Sequence, residues 1–462
     1  MGHPRPLAVA PRFIPWRLSL FLLCCFLMLP CLTLPTVAVE VEAPPQSADV
    51  GAALVVNLEN NLTLFEKEAD TNIYPSSSVK IMTGLLLCRG LADRLGETVT
   101  VTAAMLSGVE GRKMNPPLAP GEKLTVKDIL YAAVTGGYND ATHVAAVLAA
   151  DSGAAFVEQM NTEAKRLGTA HTRYTNPTGM HDPLMCTTVR EVATIAREAY
   201  GNDLFMRLTS ERTYTVPATN VAAARTFTNR NALISDSSQN YFNGYCKGMN
   251  AGMTDEGGWC VVTVCERGGA SNLCITMRGH DVSSGELIPA YVYTNHLLAW
   301  ANRAYAYTTV LSAGDTLETK KVSMTGVSKS KADLTTVKDL KVYLPKGADS
   351  TADLVYDIRL NGDELSAPLT AGDVVGQVTV TYDGRVVGKA DLTVTEDYTT
   401  SVFLLALMGF KDYLLSRPFF IAIAIFAVLL LLYIRLIKGP GGRYDMRAVN
   451  RRRVKLVKRR YR

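Results

Sequence analysis

Residues 74–83 read Tyr-Pro-Ser-Ser-Ser-Val-Lys-Ile-Met-Thr, and this stretch decides the fold. The apolar run that follows predicts a buried helix over residues 79–95. Ser77 and Lys80 stand three residues apart at its start, so they share a face of the helix. The positive end of a helix dipole favours negative charge on a serine oxygen, and a partly desolvated lysine can lose its proton near neutral pH. Ser77 is therefore predicted to be an activated nucleophile, with Lys80 as its base.

The spacing of serine and lysine leaves an alternative open, because it occurs twice in the chain. Ser328-Lys329-Ser330-Lys331 also fits it, within a polar turn. A serine in front of a helix is also a common helix cap. The interpretation of Ser77 therefore depends on the sequence around it.

The region from residue 39 to residue 305 mixes helical and strand patterns. Thr125 and Asp128 predict a capping box that opens a helix, and Gly136-Gly137 breaks this helix. Further elements are predicted at 50–58, 63–65, 156–167, 188–200, 259–265, 273–277 and 288–305. Strands that lie between two groups of helices indicate an α+β fold.

Residues 306–397 change to an all-β pattern. Apolar residues alternate up to Asn361-Gly362, and they alternate again from Val378 up to Asp383-Gly384. Alternation that ends at Asn-Gly or Asp-Gly predicts β-hairpins. This part of the chain therefore predicts a small all-β domain.

Residues 1–38 predict a secretory signal peptide. They carry three arginines and no acidic residue, then a short apolar run, then small residues suited to cleavage. An uncleaved anchor is the alternative. In either case the body of the protein is exported.

The C-terminal end predicts a single membrane span and a basic tail. Residues 418–434 carry no charge, and residues 418–437 are long enough to cross a bilayer if Arg435 reaches the interface. Residues 435–462 hold 12 lysines and arginines and one acid. The positive-inside rule places the tail (438–462) in the cytoplasm, where anionic lipids rather than nucleic acid are its expected partner.

Composition excludes several classes of protein. A chain with 48% hydrophobic and 20% charged residues is neither wholly disordered nor fibrous. Only the two ends are apolar enough for a bilayer, so a polytopic membrane protein is excluded. No C-x-x-C pair and no His/Cys cluster at metal spacing occurs, so we expect no metal and no cofactor. Most of the six cysteines of the body are expected to be small buried apolar residues; the six are Cys88, Cys186, Cys246, Cys260, Cys265 and Cys274.

With this context, the serine–lysine stretch is identified as part of a family pattern. The chain resembles the D-alanyl-D-alanine carboxypeptidases, the low-molecular-mass penicillin-binding proteins that act as serine peptidases. The resemblance runs from about Ala52 to Thr395. It includes 75–83, Asn139-Asp140-Ala141, Phe156 to Asn176 with Gly179, and Gly252 to Gly258. The all-β domain and C-terminal anchor fit the same family.

The resemblance implies roles for individual residues. Ser77 would be the acylated nucleophile, Lys80 its base, and Asn139 the asparagine of a second motif in the break between two helices. Asn250 and Gly252 would lie on a strand edge that binds substrate. A β-lactamase fits less well, because the appended β-domain and the anchor suit work on wall peptides at a membrane.

Three positions depart from the family pattern. Gly137 stands where the family usually has serine, and Asn250 and Ala251 stand where it usually has lysine and threonine. In the family these side chains relay protons and hold the terminal carboxylate of the substrate. Each loss is expected to slow or weaken the reaction about tenfold to a hundredfold. Lys247 is not expected to replace the missing lysine, because it faces the other side of the strand.

Other polar residues receive structural interpretations. His143 lies in an alanine-rich helix and His181 follows Gly179-Met180 in a loop, and neither is expected to be catalytic. Asp140 is expected to be a helix cap.

The predicted order of the chain is a signal peptide (1–38), a carboxypeptidase-like domain with an antiparallel sheet flanked by helices (39–305), an all-β domain (306–397), a juxtamembrane segment (398–417), a transmembrane helix (418–437) and a basic cytoplasmic tail (438–462).

Two functions remain open at this point. The first is a membrane-anchored serine peptidase that removes the terminal D-alanine of peptidoglycan peptides through an acyl-enzyme, with β-lactams as covalent ligands. The second is a weak or inactive relative that binds wall peptides or a partner.

Overall fold

The computed structural model describes residues 42–235, 240–283, 286–326, 330–348 and 353–437. The predicted signal peptide, the basic tail and Ser328-Lys329 lie outside the described residues. The chain forms two compact units. The first unit holds the described residues up to Val56, then Leu64–Ala306 and Leu344–Ala348, and the second holds the remainder.

The first unit is built on a five-stranded sheet. In the sheet the strands follow the order β2-β1-β9-β8-β7, where β1 is Val50–Asn57, β2 Thr63–Lys67, β7 Cys246–Thr254, β8 Gly258–Arg267 and β9 Ala270–Gly279. The last three strands pair antiparallel. Their central residues are buried on both faces, which is why the sequence shows apolar runs here rather than clean alternation. Short hairpins flank the sheet: β3 (Thr98–Thr100) with β4 (Lys123–Thr125), and β5 (Thr213–Val216) with β6 (Arg225–Thr228).

Helices cover this sheet and confirm the α+β prediction. They are α1 (Val79–Leu91), α2 (Val126–Leu130), α3 (Asn139–Ala150), α4 (Gly153–Arg166), α5 (Val189–Tyr200), α6 (Asp203–Ser210), α7 (Ala232–Ser235) and α8 (Pro289–Ala304). The closing helix α8 packs on β8 and β9. Helix α1 is buried along most of its length and contacts α3 and α5, so it forms the centre of the helical layer.

Two local predictions around these helices can be compared with the structure. Helix α1 ends at Leu91, earlier than predicted, and a short 3-10 turn over Ala92–Arg94 follows. The capping box at the start of α2 is confirmed, since Thr125 and Asp128 satisfy each other's backbone N–H groups. Beyond α2 the chain continues as a π-helical turn (Tyr131–Thr135), and Gly136-Gly137 ends it.

The second unit is all-β, as predicted. A six-stranded sheet has the order β14-β16-β17-β12-β11-β15, and β10 pairs with β13 in a separate ribbon. Its strands are β10 (Tyr305–Leu311), β11 (Glu318–Ser323), β12 (Lys331–Thr336), β13 (Leu340–Pro345), β14 (Leu354–Leu360), β15 (Leu365–Ser366), β16 (Val374–Tyr382) and β17 (Arg385–Val394).

The two predicted hairpin turns have different outcomes. Asp383-Gly384 joins β16 to β17, and both residues have positive φ (47° and 71°), as the tight turn between twisted strands requires. The hairpin predicted at Asn361-Gly362 is wrong. Strand β14 pairs with β16, whereas the next strand, β15, pairs parallel with β11. The Asn-Gly pair therefore marks where strand β14 ends, but it does not indicate which strand pairs with β14.

Two helices follow the β-strands: α9 (Val402–Leu414) and α10 (Arg417–Ile437). Within the described part of the chain, α10 is the one helix long and apolar enough to cross a membrane. Its 21 residues span about 32 Å, close to the thickness of a hydrocarbon core.

Candidate active site

The serine stretch forms a tight turn in front of α1. Ser76–Ser78 make one 3-10 turn, and Ser76 adopts a left-handed backbone conformation (φ 50°) immediately before Ser77. Non-glycine residues adopt this conformation rarely because it is strained, and residues with such backbone strain cluster at functional sites. Ser77 is 8% exposed, and its Oγ has no hydrogen-bond partner among the described residues. The turn thus holds a buried hydroxyl free to react.

The thiol of Cys260 lies against Ser77 from the neighbouring strand β8. Burial raises the pKa of this thiol to about 12, and the neighbouring Ser77 and Ser78 oppose that rise. The thiol contributes no hydrogen bond to Ser77 Oγ, which has no partner among the described residues. Cys260 is therefore a neutral packing group beneath the serine.

Lys80 is the second residue of α1 and is half-buried at the wall of the cavity. Its Nζ donates a hydrogen bond to the carbonyl of Thr178. Burial, together with the positive charges of Arg230 and Arg112, lowers the pKa of Lys80 to about 7. At neutral pH a large fraction of this amine is therefore unprotonated and can accept a proton.

The loop that carries Thr178 is fixed against the serine turn. Asn176 Oδ1 accepts hydrogen bonds from the backbone N–H groups of Thr178 (3.2 Å) and Gly179 (2.9 Å). Gly179 has a φ of 79°, and a Cβ there would lie 2.4 Å from the carbonyl oxygen of Ser76. Only glycine allows this approach, so Gly179 sets where the acceptor for Lys80 lies.

Asn139 is the first residue of α3, directly after the glycine break. Its Nδ2 donates to the carbonyl of Glu110 (2.9 Å), while its Oδ1 has no partner among the described residues. Gly111 packs against this amide, since a Cβ at Gly111 would lie 2.6 Å from Asn139 Nδ2. The loop thus holds the amide nitrogen of Asn139, and the amide oxygen can accept a hydrogen bond from a ligand.

Strand β7 forms the opposite wall with Asn250, Ala251 and Gly252. The side chain of Asn250 is buried, and its Oδ1 is unpartnered among the residues that the structure describes. A Cβ at Gly252 would lie 2.9 Å from Ser77 Cβ and 3.0 Å from Ser77 Oγ. Any larger residue at this position would clash with Ser77, which explains why the position is glycine.

These walls enclose a cavity of about 490 Å³, large enough for a short peptide end. All five predicted site residues line it: Ser77, Lys80, Asn139, Asn250 and Gly252. The altered positions Gly137 and Ala251 line it as well. Three of the five buried polar side-chain atoms without a partner in the described chain, those of Ser77, Asn139 and Asn250, belong to this one cavity.

The polar residues that the sequence analysis did not expect to be catalytic differ in their position relative to the cavity. Lys247 is exposed and does not line the cavity. His143 Nδ1 contacts the carbonyl of Met105 (2.8 Å), away from the site. Asp140 accepts from the backbone N–H groups of Leu118, Ala141 and Met114, so it fixes a loop to the start of α3. His181 does line the cavity, beside Tyr74 and 3.7 Å from Glu256.

The sequence analysis missed both arginines that line the cavity. Arg112 lies in a polar loop and Arg230 lies between two asparagines after β6, so both resemble ordinary surface arginines in the sequence. No periodicity or spacing marks them, because each reaches the cavity through tertiary packing.

The described residues contain no group of three or more His, Cys, Asp or Glu side chains that could hold a metal ion. All six cysteines of the body are free, and five are buried, as the sequence predicts; Cys186 is half-buried. The cavity is lined by side chains of several chemical types: the hydroxyl of Ser77, the amine of Lys80, the amides of Asn139 and Asn250, the guanidinium groups of Arg112 and Arg230, the imidazole of His181 and the carboxylates of Asp255 and Glu256.

Known proteins match both units. A family model for D-alanyl-D-alanine carboxypeptidases matches residues 38–280, more than half of the chain. A model for the C-terminal domain of penicillin-binding protein 5 matches residues 305–400.

The individual relatives have low sequence identity to this chain, but the similarity covers most of it. The D-alanyl-D-alanine carboxypeptidases DacF of Bacillus subtilis and DacC of Escherichia coli are each 26% identical, over 76% and 77% of this chain and 87% and 86% of their own lengths. The crystal structure of penicillin binding protein 5 from Haemophilus influenzae has a TM-score of 0.58 at 23% identity, over 77% of this chain and 99% of that one. A peptidoglycan synthesis regulatory factor (PBP3) from Streptococcus pneumoniae has a TM-score of 0.60 at 17% identity, over 76% and 100%. These structures share the fold, and the chain belongs to the D-alanyl-D-alanine carboxypeptidase family.

Proposed function

We propose that this protein is a serine D-Ala-D-Ala carboxypeptidase that acts on peptidoglycan stem peptides through an acyl-enzyme on Ser77. The observation that carries the proposal is the pairing of an unpartnered Ser77 Oγ with Lys80 in one cavity, where burial lowers the pKa of the amine to about 7. The family membership and the named activity of the relatives support it.

The reaction follows from these groups. Neutral Lys80 accepts the proton of Ser77 as Oγ attacks the carbonyl carbon of the penultimate D-alanine. The tetrahedral intermediate collapses, the peptide C–N bond breaks, and the protonated lysine returns its proton to the leaving amine of the terminal D-alanine. Water then attacks the ester carbonyl while Lys80 accepts a proton from it, the bond between the acyl carbon and Ser77 Oγ breaks, Lys80 returns the proton to Oγ, and the shortened peptide leaves. Asn139 and Asn250 supply amide groups that can hydrogen-bond the peptide beside the scissile bond.

A second function remains as the alternative. Gly137, Asn250 and Ala251 line the cavity in place of the serine, lysine and threonine that the resemblance implies. A protein with such a site could bind or be acylated by a ligand without turning it over.

Labelled penicillin separates these functions. The full-length protein in detergent is incubated with the label, digested, and mapped by mass spectrometry. We expect the label on Ser77, none in Ser77→Ala, and nearly full labelling in the matched variant Ser78→Ala, which removes a hydroxyl that donates to the carbonyl of Pro75 (2.6 Å). D-alanine release from a D-Ala-D-Ala peptide then tests turnover: acylation without release would favour the alternative.

We also propose that α10 anchors the protein in a membrane, with the catalytic unit outside the cytoplasm and the basic tail inside. The length and apolar surface of Arg417–Ile437 support this orientation, together with the 12 bases from residue 435 onward. Protease added outside intact cells should digest the catalytic unit and spare a tag placed after the C-terminus. Loss of the tag would overturn the orientation.

A further inference from the structure

Two cysteines face each other across strands β7 and β8. Cys246 begins β7 and lies directly opposite Cys265 in the antiparallel pairing of the two strands. Both side chains are buried (5% and 1% exposed), and both thiols are free. Two thiols in register on neighbouring strands can be joined by a covalent bond, and no step of the proposed reaction uses either of them.

The hydrogen bonds around the two cysteines determine the geometry of the pair. The N–H of Glu266 donates to the carbonyl of Tyr245 (2.9 Å), so the neighbouring positions form a hydrogen-bonded pair. The N–H of Cys246 donates to the carbonyl of Asn243 (2.9 Å) and not to β8. Cys246 and Cys265 therefore form a non-hydrogen-bonded pair, whose Cα atoms lie about 4.5 Å apart in an antiparallel sheet. A disulfide bond spans Cα atoms about 4.4–6.8 Å apart, so this pair meets the requirement.

A third cysteine on the same face of the sheet lies too far away to compete. Cys274 of β9 is opposite Thr263, two residues along β8 from Cys265. Diagonal neighbours of this kind lie about 7–8 Å apart, at or beyond the limit for a disulfide. Cys246 and Cys274 are two strands apart, which separates them by about 10 Å. Of these three thiols, only Cys246 and Cys265 can therefore be bridged.

The surroundings of Cys265 favour its thiolate. The neighbouring Cys246 thiol lowers the pKa of Cys265 and outweighs the effect of burial. The amide of Asn302, on the covering helix α8, lowers this pKa as well, and its Nδ2 lies 3.7 Å from Cys265 Sγ. Arg267, which ends β8 away from the cavity, acts in the same direction. Because the thiolate is the nucleophile in disulfide exchange, Cys265 is the sulfur that reacts first.

We propose that Cys246 and Cys265 form a disulfide bond in the exported protein. While the chain folds, the Cys265 thiolate attacks one sulfur of an oxidising disulfide compound, whose S–S bond breaks and releases one thiol. The Cys246 thiolate then attacks Cys265 Sγ and displaces the second thiol. The two cysteines lose two electrons, the compound gains them, and the two cysteine protons end on the released thiols. Since disulfides persist outside the cytoplasm, the proposal rests on the proposed location of the catalytic unit but not on turnover.

The bond fastens the strand that forms one wall of the cavity. Asn250 follows Cys246 by four residues on β7, and the register shifts between them, so that Gly248 and Met249 together face Thr263. Thr263 Oγ1 donates to the carbonyl of Gly248 (2.8 Å). A disulfide before this irregular stretch ties the start of β7 to β8, and it also removes conformational freedom from the unfolded chain. The stability of the fold should therefore depend on the redox state of the pair.

Peptide mapping tests the proposal directly. The full-length protein is isolated from membranes, its free thiols are alkylated in denaturant without reductant, and it is digested with trypsin. Cleavage after Lys247 separates the two cysteines, so a disulfide joins peptide 231–247 to peptide 248–267. We expect these peptides to be linked, with the alkyl group on Cys260 in the second peptide. Recovery of the two peptides unlinked, or a link through Cys260 or Cys274, would overturn the proposal.

Thermal unfolding provides a second measurement with a matched control. Reductant should lower the melting temperature of the full-length protein by about 5–10 °C. Cys246→Ala and Cys265→Ala should each abolish this dependence on reductant, and if one variant does not fold the other carries the test. Cys274→Ala removes a buried thiol from the same face and should retain the shift. Equal shifts in Cys246→Ala and Cys274→Ala would contradict the proposal. Linked peptides in a protein that releases no D-alanine would support this proposal and contradict the proposed turnover.

Discussion

The cavity has two walls that differ in how closely they follow the family pattern. The first wall carries Ser77, Lys80 and Asn139, and these are the residue types that the resemblance implies. The second wall combines strand β7 and the glycine break, where three positions differ, with two arginines that the sequence did not mark. Under the proposed function, the first wall holds the nucleophile and its base, whereas the second wall contacts the ligand. A serine and a lysine one helical turn apart are placed by local sequence, whereas contacts to a ligand can come from any element that reaches the cavity.

The largest effect is expected on the first wall. Lys80→Met should slow acylation by labelled penicillin about 10²- to 10⁴-fold, because the variant has no base to take the proton of Ser77. Stopped-flow fluorescence of the full-length protein measures the rate. Lys247→Met, which removes the exposed lysine of β7, should leave the rate unchanged. Equal rates in the two variants would mean that Lys80 is not the base.

Substitutions on the second wall should have non-additive effects on peptide binding. In the Ser77→Ala protein, the double change Asn250→Lys with Ala251→Thr should tighten the binding of a D-Ala-D-Ala peptide about tenfold, since it places a cation beside the terminal carboxylate. The gain should be larger when Arg230→Gln is also present, because the new lysine then enters a cavity with one guanidinium group fewer. Calorimetry measures both gains. Equal gains in the two backgrounds would show that Arg230 does not interact with the new lysine.

A pH profile links the two walls. Acylation should rise as pH increases through about 7, because Lys80 acts as a base only after it loses its proton. Arg230→Gln removes one of the two positive charges that hold the pKa of Lys80 down, so the midpoint should move to higher pH. Arg267→Gln should not move it. A midpoint that stays fixed or falls in Arg230→Gln would show that the two walls are not electrically coupled.

The smallest effect concerns the glycine break. Gly137 has a φ of 67°, so Gly137→Ser should destabilise the fold by about 1–2 kcal/mol even though the nearest atoms leave room for a Cβ. Thermal unfolding measures this change. The matched variant Gly96→Ser has no φ constraint and no atom within 4 Å, and it should be close to neutral. If Gly137→Ser is as stable as Gly96→Ser, the backbone at the break can rearrange, and the family serine could be restored without loss.

The sequence predicts the first wall better than the second for a physical reason. Ser77, Lys80 and Asn139 lie at or near helix starts, where local spacing fixes which side chains meet. Arg112 and Arg230 converge from a loop and a strand end that are far apart in the sequence, and contacts made in the folded chain, such as those with the rings of Tyr138 and Trp259, hold them at the cavity. The hairpin predicted at Asn361-Gly362 is wrong for the same reason, because it depends on contacts between residues far apart in the sequence. A turn is local, but the choice of strand partner depends on the whole sheet.

The orphaned polar atoms described above also set a limit on how stable this fold can become. A buried polar group without a partner costs about 1–3 kcal/mol, and a lysine held neutral by burial adds to that cost. These polar groups make the site the least stabilising part of an otherwise well-packed unit. Substitutions that fill it with apolar side chains should raise the melting temperature and remove the chemistry together, so any selection for thermal resistance must act elsewhere in the chain.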